Sequence, residues 1–179
     1  MTLTPALVLW LSLFLITMSS ALTAQTFDDD PQHHIRTTDR RLIRLLNEGV
    51  RGSETFRRLV DRLRQSDVIV YVECGGGSAR SSDGRLTFVS AVGGLRYVHV
   101  RVARLAAADV QIALIGHELQ HAVEIANAPN VVDASSLALE YQRIGYLNPR
   151  LGPGMAFDSD AAVEAGHQVL RDLSGTAAY

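Results

Sequence analysis

Two histidines and a glutamate stand close together in the chain, in the order His117-Glu118-Leu119-Gln120-His121. Residues four apart lie one above the other on the same face of a helix, about 6 Å apart along its axis. At that spacing both imidazoles can reach one zinc ion, and the glutamate between them can act on a zinc-bound water. The motif therefore predicts a zinc centre on a helix, with His117 and His121 as ligands and Glu118 as the base.

The sequence around this motif predicts a long, mostly buried helix. Its apolar residues cover much of the circumference: Ile112, Leu114, Ile115, Leu119, Val123 and Ile125. We expect the helix to begin after Asp109 as N-cap and to end before Pro129, because the residue before a proline disfavours helical geometry. Buried histidines and carboxylates are costly unless something compensates them, and zinc would do so. The alternative is a pair of core histidines bonded to carbonyls, with Glu118 at the surface.

Two histidines do not complete a catalytic zinc site, which usually has three protein ligands and one open position. Glu140 is the leading candidate for the third ligand, because it belongs to an apolar stripe on a separate predicted helix. The stripe consists of Leu137, Glu140, Tyr141 and Ile144. A carboxylate on that stripe should face the core, where it needs a partner. The competing carboxylates are Asp133, which already serves as a helix cap, and then Asp158 and Asp160.

Other residues are candidates for supporting roles. Glu124 lies on the histidine face of the helix but about 10 Å along the axis from His117, too far to share one ion on an unbroken helix. We therefore predict that Glu124 supports a ligand through a hydrogen bond or salt bridge. A donor that would stabilise a negatively charged oxygen is left open among four residues. They are Tyr141, Arg143, Tyr146 and His167.

Hydrophobic periodicity and turn residues predict one α+β domain over residues 39–175. Helices are expected over 39–48, 53–65, 109–126, 133–144 and 159–173, and strands over 68–73, 85–92 and 95–103. Gly93-Gly94 should turn the chain between the last two strands, and residues 146–158 are expected to form a loop. The expected architecture is a small mixed or antiparallel sheet packed on the motif helix, with further helices at both ends.

The first 24 residues have the pattern of a secretory signal peptide, since an apolar run over 5–18 is followed by small residues. Residues 25–38 are polar and are expected to form a disordered spacer. We therefore expect a periplasmic or secreted protein, which meets a membrane only if the N-terminal segment is an uncleaved anchor. The net charge of −2 gives no reason to expect a nucleic-acid partner, and the single Cys74 cannot form an internal disulfide.

With its motif, a distant glutamate and strands before the motif helix, the chain resembles the zincin metallopeptidases, specifically the gluzincin branch. The resemblance covers about residues 85–145. It implies a zincin-like fold and one zinc ion held by His117, His121 and Glu140. Glu118 would be the general base for attack of water on a peptide carbonyl, and would pass the proton to the leaving amine. Many gluzincins carry an aspartate four residues after the glutamate ligand, and Ile144 stands there instead.

The resemblance also implies a peptide or protein substrate that pairs with an edge strand, either 85–92 or 95–103. The expected function is thus an exported zinc metallopeptidase. One alternative is a zinc-binding domain with little catalysis, used for binding or assembly in the cell envelope; another is a zinc-free structural domain. The intact Glu118 favours the enzyme, because metal binding alone does not require that residue.

Overall fold

A computed structural model describes residues 34–75, 84–105, 107–147 and 157–176 of the chain. In these stretches, five helices and a small mixed sheet form an α+β domain. In chain order the elements are β1 (Ile35–Arg36), α1 (Arg40–Gly52), α2 (Glu54–Arg64), β2 (Val68–Gly75), β3 (Gly84–Val92), β4 (Leu95–Ala103), α3 (Ala108–Ala126), α4 (Ala134–Ile144), β5 (Tyr146–Leu147), β6 (Phe157–Asp158) and α5 (Asp160–Thr176). The predicted signal peptide lies outside the described residues.

The main sheet has the strand order β1-β2-β4-β3. β1, β2 and β4 run parallel, whereas β3 is antiparallel to β4 and forms one edge of the sheet. The hairpin between β3 and β4 turns at Gly93-Gly94, where both residues have positive φ (62° and 79°), as the predicted turn requires. Because β4 is paired on both sides, β3 is the strand that offers an edge near the motif helix.

One face of the sheet packs on the helices, as alternation along the strands predicts. Val98, Val100 and Val102 of β4 are fully buried, whereas Tyr71 of β2 points to the opposite face and is exposed. Phe56 from α2 and Ile115 from α3 complete the core with no exposure. None of the helices within the described residues is both long and apolar enough to cross a membrane.

Two short strand pairs depart from the sequence predictions. Ile35 and Arg36 were assigned to the disordered spacer, but they pair with β2, and Ile35 is buried. The predicted loop over 146–158 likewise contains β5 and β6, which pair antiparallel with each other. Strands of two residues carry no alternation that a sequence pattern could detect. The second correction matters for the site, because β6 carries Asp158.

The motif helix α3 begins slightly earlier than predicted, and an unexpected residue closes its end. Its N-cap is Ala107, without a side-chain hydrogen bond, and Asp109 instead lies in the first turn. At the other end, the buried Arg96 of β4 donates to the carbonyls of Ile125 and Ala128, both at 2.7 Å. These bonds satisfy acceptors that a helix C-terminus leaves without intrahelical partners.

Candidate metal centre

The two motif histidines meet a carboxylate from outside their helix. The Nε2 atoms of His117 and His121 lie 3.4 Å and 3.6 Å from Oδ1 of Asp158. Each of the three residues offers one ligand atom, and these atoms all lie within 4.8 Å of one another. At zinc–ligand distances of about 2.0–2.1 Å, two corners of a tetrahedral site are roughly 3.3–3.4 Å apart. The two histidine–aspartate separations are close to this value, so the three residues could hold a metal ion.

Glu140, the predicted third ligand, does not belong to this group. Its side chain is buried, as the helical stripe predicted, but its carboxylate binds the guanidinium of Arg143 one turn further along α4. The Arg143 hydrogen bond also holds the pKa of Glu140 below its usual value. A stripe on a helix predicts burial but does not identify the partner. Among the described residues, Asp158 rather than Glu140 therefore lies beside the two histidines, although Asp158 is the weaker candidate in the sequence.

The other competing carboxylates lie outside the group as well. Asp133 caps α4, as predicted: it accepts a 2.7 Å hydrogen bond from the amide of Ser136, which completes a capping box. Asp160 is exposed in the first turn of α5. Of the four carboxylates considered as the third ligand, only Asp158 belongs to the group formed with the two histidines.

Glu118 opens onto the same cavity as the two histidines. The cavity has a volume of about 220 Å³ and is lined by the first four residues of β3, by the motif, by the inner face of α4 and by Phe157. Glu118 itself is only 3% exposed. The predicted base and the two candidate histidine ligands therefore line one cavity, with an edge strand as one of its walls.

Gly84 brings that edge strand against Glu118. A Cβ added at Gly84 would lie 2.2 Å from Oε1 of Glu118, which no side chain could tolerate without displacement. The backbone of β3 can approach the carboxylate this closely only because residue 84 is glycine. Gly84 lies just before the predicted strand 85–92, and the sequence gives no sign of this contact, because it arises when β3 packs against α3.

The two histidines have opposite protonation preferences. Burial and the neighbouring His121 lower the pKa of His117 to about 4. Burial also acts to lower the pKa of His121, but its hydrogen bonds with Asp158 and Glu124 outweigh that effect and raise the pKa to about 9. His121 therefore carries the positive charge that balances the surrounding carboxylates in the metal-free chain.

Glu124 supports His121 in the manner predicted for it. Its Oε2 accepts a hydrogen bond from Nδ1 of His121 at 2.9 Å and another from the hydroxyl of Tyr141 at 3.2 Å. Ser159 donates to its Oε1 at 2.5 Å. With Nδ1 engaged in this way, Nε2 of His121 faces Asp158.

The four candidate donors to a negatively charged oxygen have differing environments. The Tyr141 hydroxyl is engaged with Glu124, and burial and that carboxylate raise its pKa. Arg143 is paired with Glu140. Tyr146 and His167 are exposed on β5 and α5. Of these four, Tyr141 is therefore better explained as part of the support for His121 than as the predicted donor.

Comparison of the chain with protein-family models, with curated proteins and with solved structures finds no match. The resemblance to the gluzincins thus rests on the residues of the chain alone. Any proposal of function therefore depends on the geometry of the site.

Proposed function

We propose that this protein is a zinc-dependent peptidase with a zincin-like site, in which His117, His121 and Asp158 hold one zinc ion and Glu118 is the general base. The observation that carries the proposal is the shared cavity, onto which the two histidines, the buried Glu118 and the edge strand β3 open, with Asp158 beside the histidines. Action outside the cytoplasm is part of the proposal and depends on the signal-peptide pattern of residues 1–24.

The zinc ion and Glu118 have separate roles in the proposed reaction. When bound, the zinc ion would supply the positive charge that polarises a carbonyl group and makes water more acidic. Glu118 takes the proton of the attacking water and gives it to the leaving amine. Its burial beside the backbone of Gly84 holds the carboxylate in one place. The walls formed by β3, α3 and α4 partly shield these groups from bulk water.

The walls of the cavity support a peptide as the substrate in this proposal. Residues 84–87 of β3 line it, and within the described residues no strand pairs with the outer side of β3. An extended peptide can therefore add to that edge by main-chain hydrogen bonds. Across the cavity, α4 presents Ala134, Leu137 and Ala138, which suit an apolar substrate side chain.

Glu118→Gln tests this proposal. We expect purified wild-type protein to hold one zinc ion per chain and to cleave members of a mixed peptide library. The variant should hold zinc equally well but lose about 10²–10⁴-fold in kcat/KM, because general acid–base catalysis contributes that much. Metal content and cleavage, followed by mass spectrometry, measure the two effects separately. Zinc binding by a wild type that cleaves nothing would refute the peptidase and favour a binding domain.

Gly84→Ala should impair catalysis without removing the metal. The added methyl group displaces Glu118 or the start of β3, and a misplacement of about 1 Å can cost around 100-fold in rate. Zinc affinity should stay within about threefold of wild type, because the atoms nearest to the added methyl group belong to Glu118, which is not a candidate ligand. Gly75→Ala is the matched control, since its methyl group would meet the exposed side chain of Arg101 at 2.8 Å and the carbonyl oxygen of Val102 at 3.8 Å. Equal activity of Gly84→Ala and wild type would show that the contact does not position Glu118.

A further inference from the structure

The Glu124 carboxylate joins three parts of the fold. It accepts hydrogen bonds from His121 on α3, Tyr141 on α4 and Ser159 at the start of α5. Its side chain is 9% exposed. Burial of a carboxylate is costly, and the three donors offset that cost. The arrangement therefore ties together elements that are distant along the chain.

One of these bonds sets the orientation of His121. The hydrogen bond that Nδ1 of His121 donates to Glu124 places a proton on Nδ1 and leaves Nε2 to face the other candidate ligands. The imidazole ring is also packed edge-on between two rings, with centroids 4.9 Å from His117 and 5.3 Å from Tyr141. Glu124 thus fixes the rotation of a ring whose position packing already restricts.

Another bond reaches the turn that carries Asp158. Ser159 follows Asp158 directly, and its amide donates to Oδ1 of Asp158 at 2.8 Å. The Ser159 hydroxyl donates to Glu124 and accepts from the amide of Ala162 at 3.1 Å. Through Ser159, Glu124 therefore connects the histidine helix to the turn that carries the third candidate ligand.

We propose that Glu124 is a positioning residue that aligns the two halves of the metal site, the histidine pair on α3 and Asp158 on β6. The inference rests on the proposed function, and within it on the metal site rather than on peptide hydrolysis. Glu124 touches no metal in this role; it acts through His121 and Ser159.

Glu124→Gln tests the inference, because glutamine keeps the volume but places an NH2 group, which donates hydrogen bonds and cannot accept them, where one carboxylate oxygen was. We expect zinc affinity to fall by about 10–100-fold, as measured by competition with a chromogenic chelator. With cobalt(II) as probe, the visible absorption bands of the bound ion should shift, which a merely structural role would not cause. Glu140→Gln is the matched control, since it alters a buried glutamate that lies outside the histidine–aspartate group and should leave affinity and spectrum unchanged.

Tyr141→Phe is a milder second variant, which removes one hydroxyl and keeps the ring. It should weaken zinc binding severalfold even if Glu124→Gln fails to fold. Wild-type affinity and an unchanged cobalt spectrum in folded Glu124→Gln, or wild-type affinity in Tyr141→Phe when the first variant does not fold, would overturn the inference. A wild type that binds neither ion overturns it together with the metal site. A chain that binds zinc and cleaves nothing refutes only the peptidase, and a loss of affinity in Glu124→Gln still supports this inference.

Discussion

Asp158→Asn is expected to lower zinc affinity by more than about 100-fold, whereas Glu140→Gln should change it by less than about threefold. Asp158 supplies one of three candidate ligand atoms, and its loss should exceed the 10–100-fold effect typical of residues that only support a ligand. Asparagine keeps the shape of the side chain but replaces an anionic oxygen with a weaker neutral donor. Competition with a chelator of known affinity measures both variants on one scale.

The two variants can be compared directly because each removes the negative charge of one buried carboxylate. Glu140 already has a partner in Arg143, so its loss should affect local packing rather than the metal. The opposite result, with zinc lost from Glu140→Gln and retained by Asp158→Asn, would restore the ligand set implied by the resemblance to gluzincins. Circular dichroism of each metal-free variant would show that the chain is still folded.

Arg96→Met should lower the free energy of unfolding by about 2–3 kcal/mol, since the carbonyls at the end of α3 lose the buried donor that satisfies them. The Arg96 guanidinium binds both carboxylate oxygens of Asp67, at 2.8 Å and 2.6 Å, in addition to carbonyls at the end of α3. Methionine fills much of the same space but offers no donor. Urea unfolding of the metal-free proteins, followed by circular dichroism, measures the loss.

Arg58→Met provides the control for this prediction. Arg58 forms an ion pair with Glu54 at a distance of 2.6 Å, but both side chains are more than half exposed. Its removal should cost less than about 1 kcal/mol, because solvent screens exposed pairs. Similar losses in the two variants would mean that the buried network around Arg96 contributes no more than a surface pair.

The parts of the fold that sequence analysis predicted well depend on local signals. Asp133 caps α4 as predicted, and Ser53 caps α2 at the start of the predicted helix 53–65, because a side-chain oxygen can satisfy an amide three residues away. The Gly93-Gly94 hairpin follows from the left-handed backbone that only glycine adopts readily. In each case the interacting groups are neighbours in sequence, so their types and spacing contain the information.

The remaining features depend on contacts between distant segments. In the sequence Arg96 is one of several arginines on a predicted strand, yet from β4 it donates to a carbonyl at the C-terminal end of the motif helix. β1 and the β5–β6 pair consist of two residues per strand, which is too short for any periodic pattern. Gly84 lies outside the predicted strands, and its importance appears only in the packing of β3 against Glu118. No local signal distinguishes these residues from similar ones elsewhere in the chain.

The candidate site shows the same division. By itself, the sequence determined a helix with His117, Glu118 and His121 on it, because helical spacing places those side chains together wherever the helix packs. Only the tertiary structure decided that Asp158 faces the histidines. Helical periodicity states which side of an element is buried, but it does not identify the partner of a buried carboxylate: Glu140 pairs with Arg143 on its own helix, whereas Asp158 reaches the histidines from a separate segment. Ser159 joins the site through a contact of the same kind, whereas Glu124 was expected from its place on the histidine face of the helix.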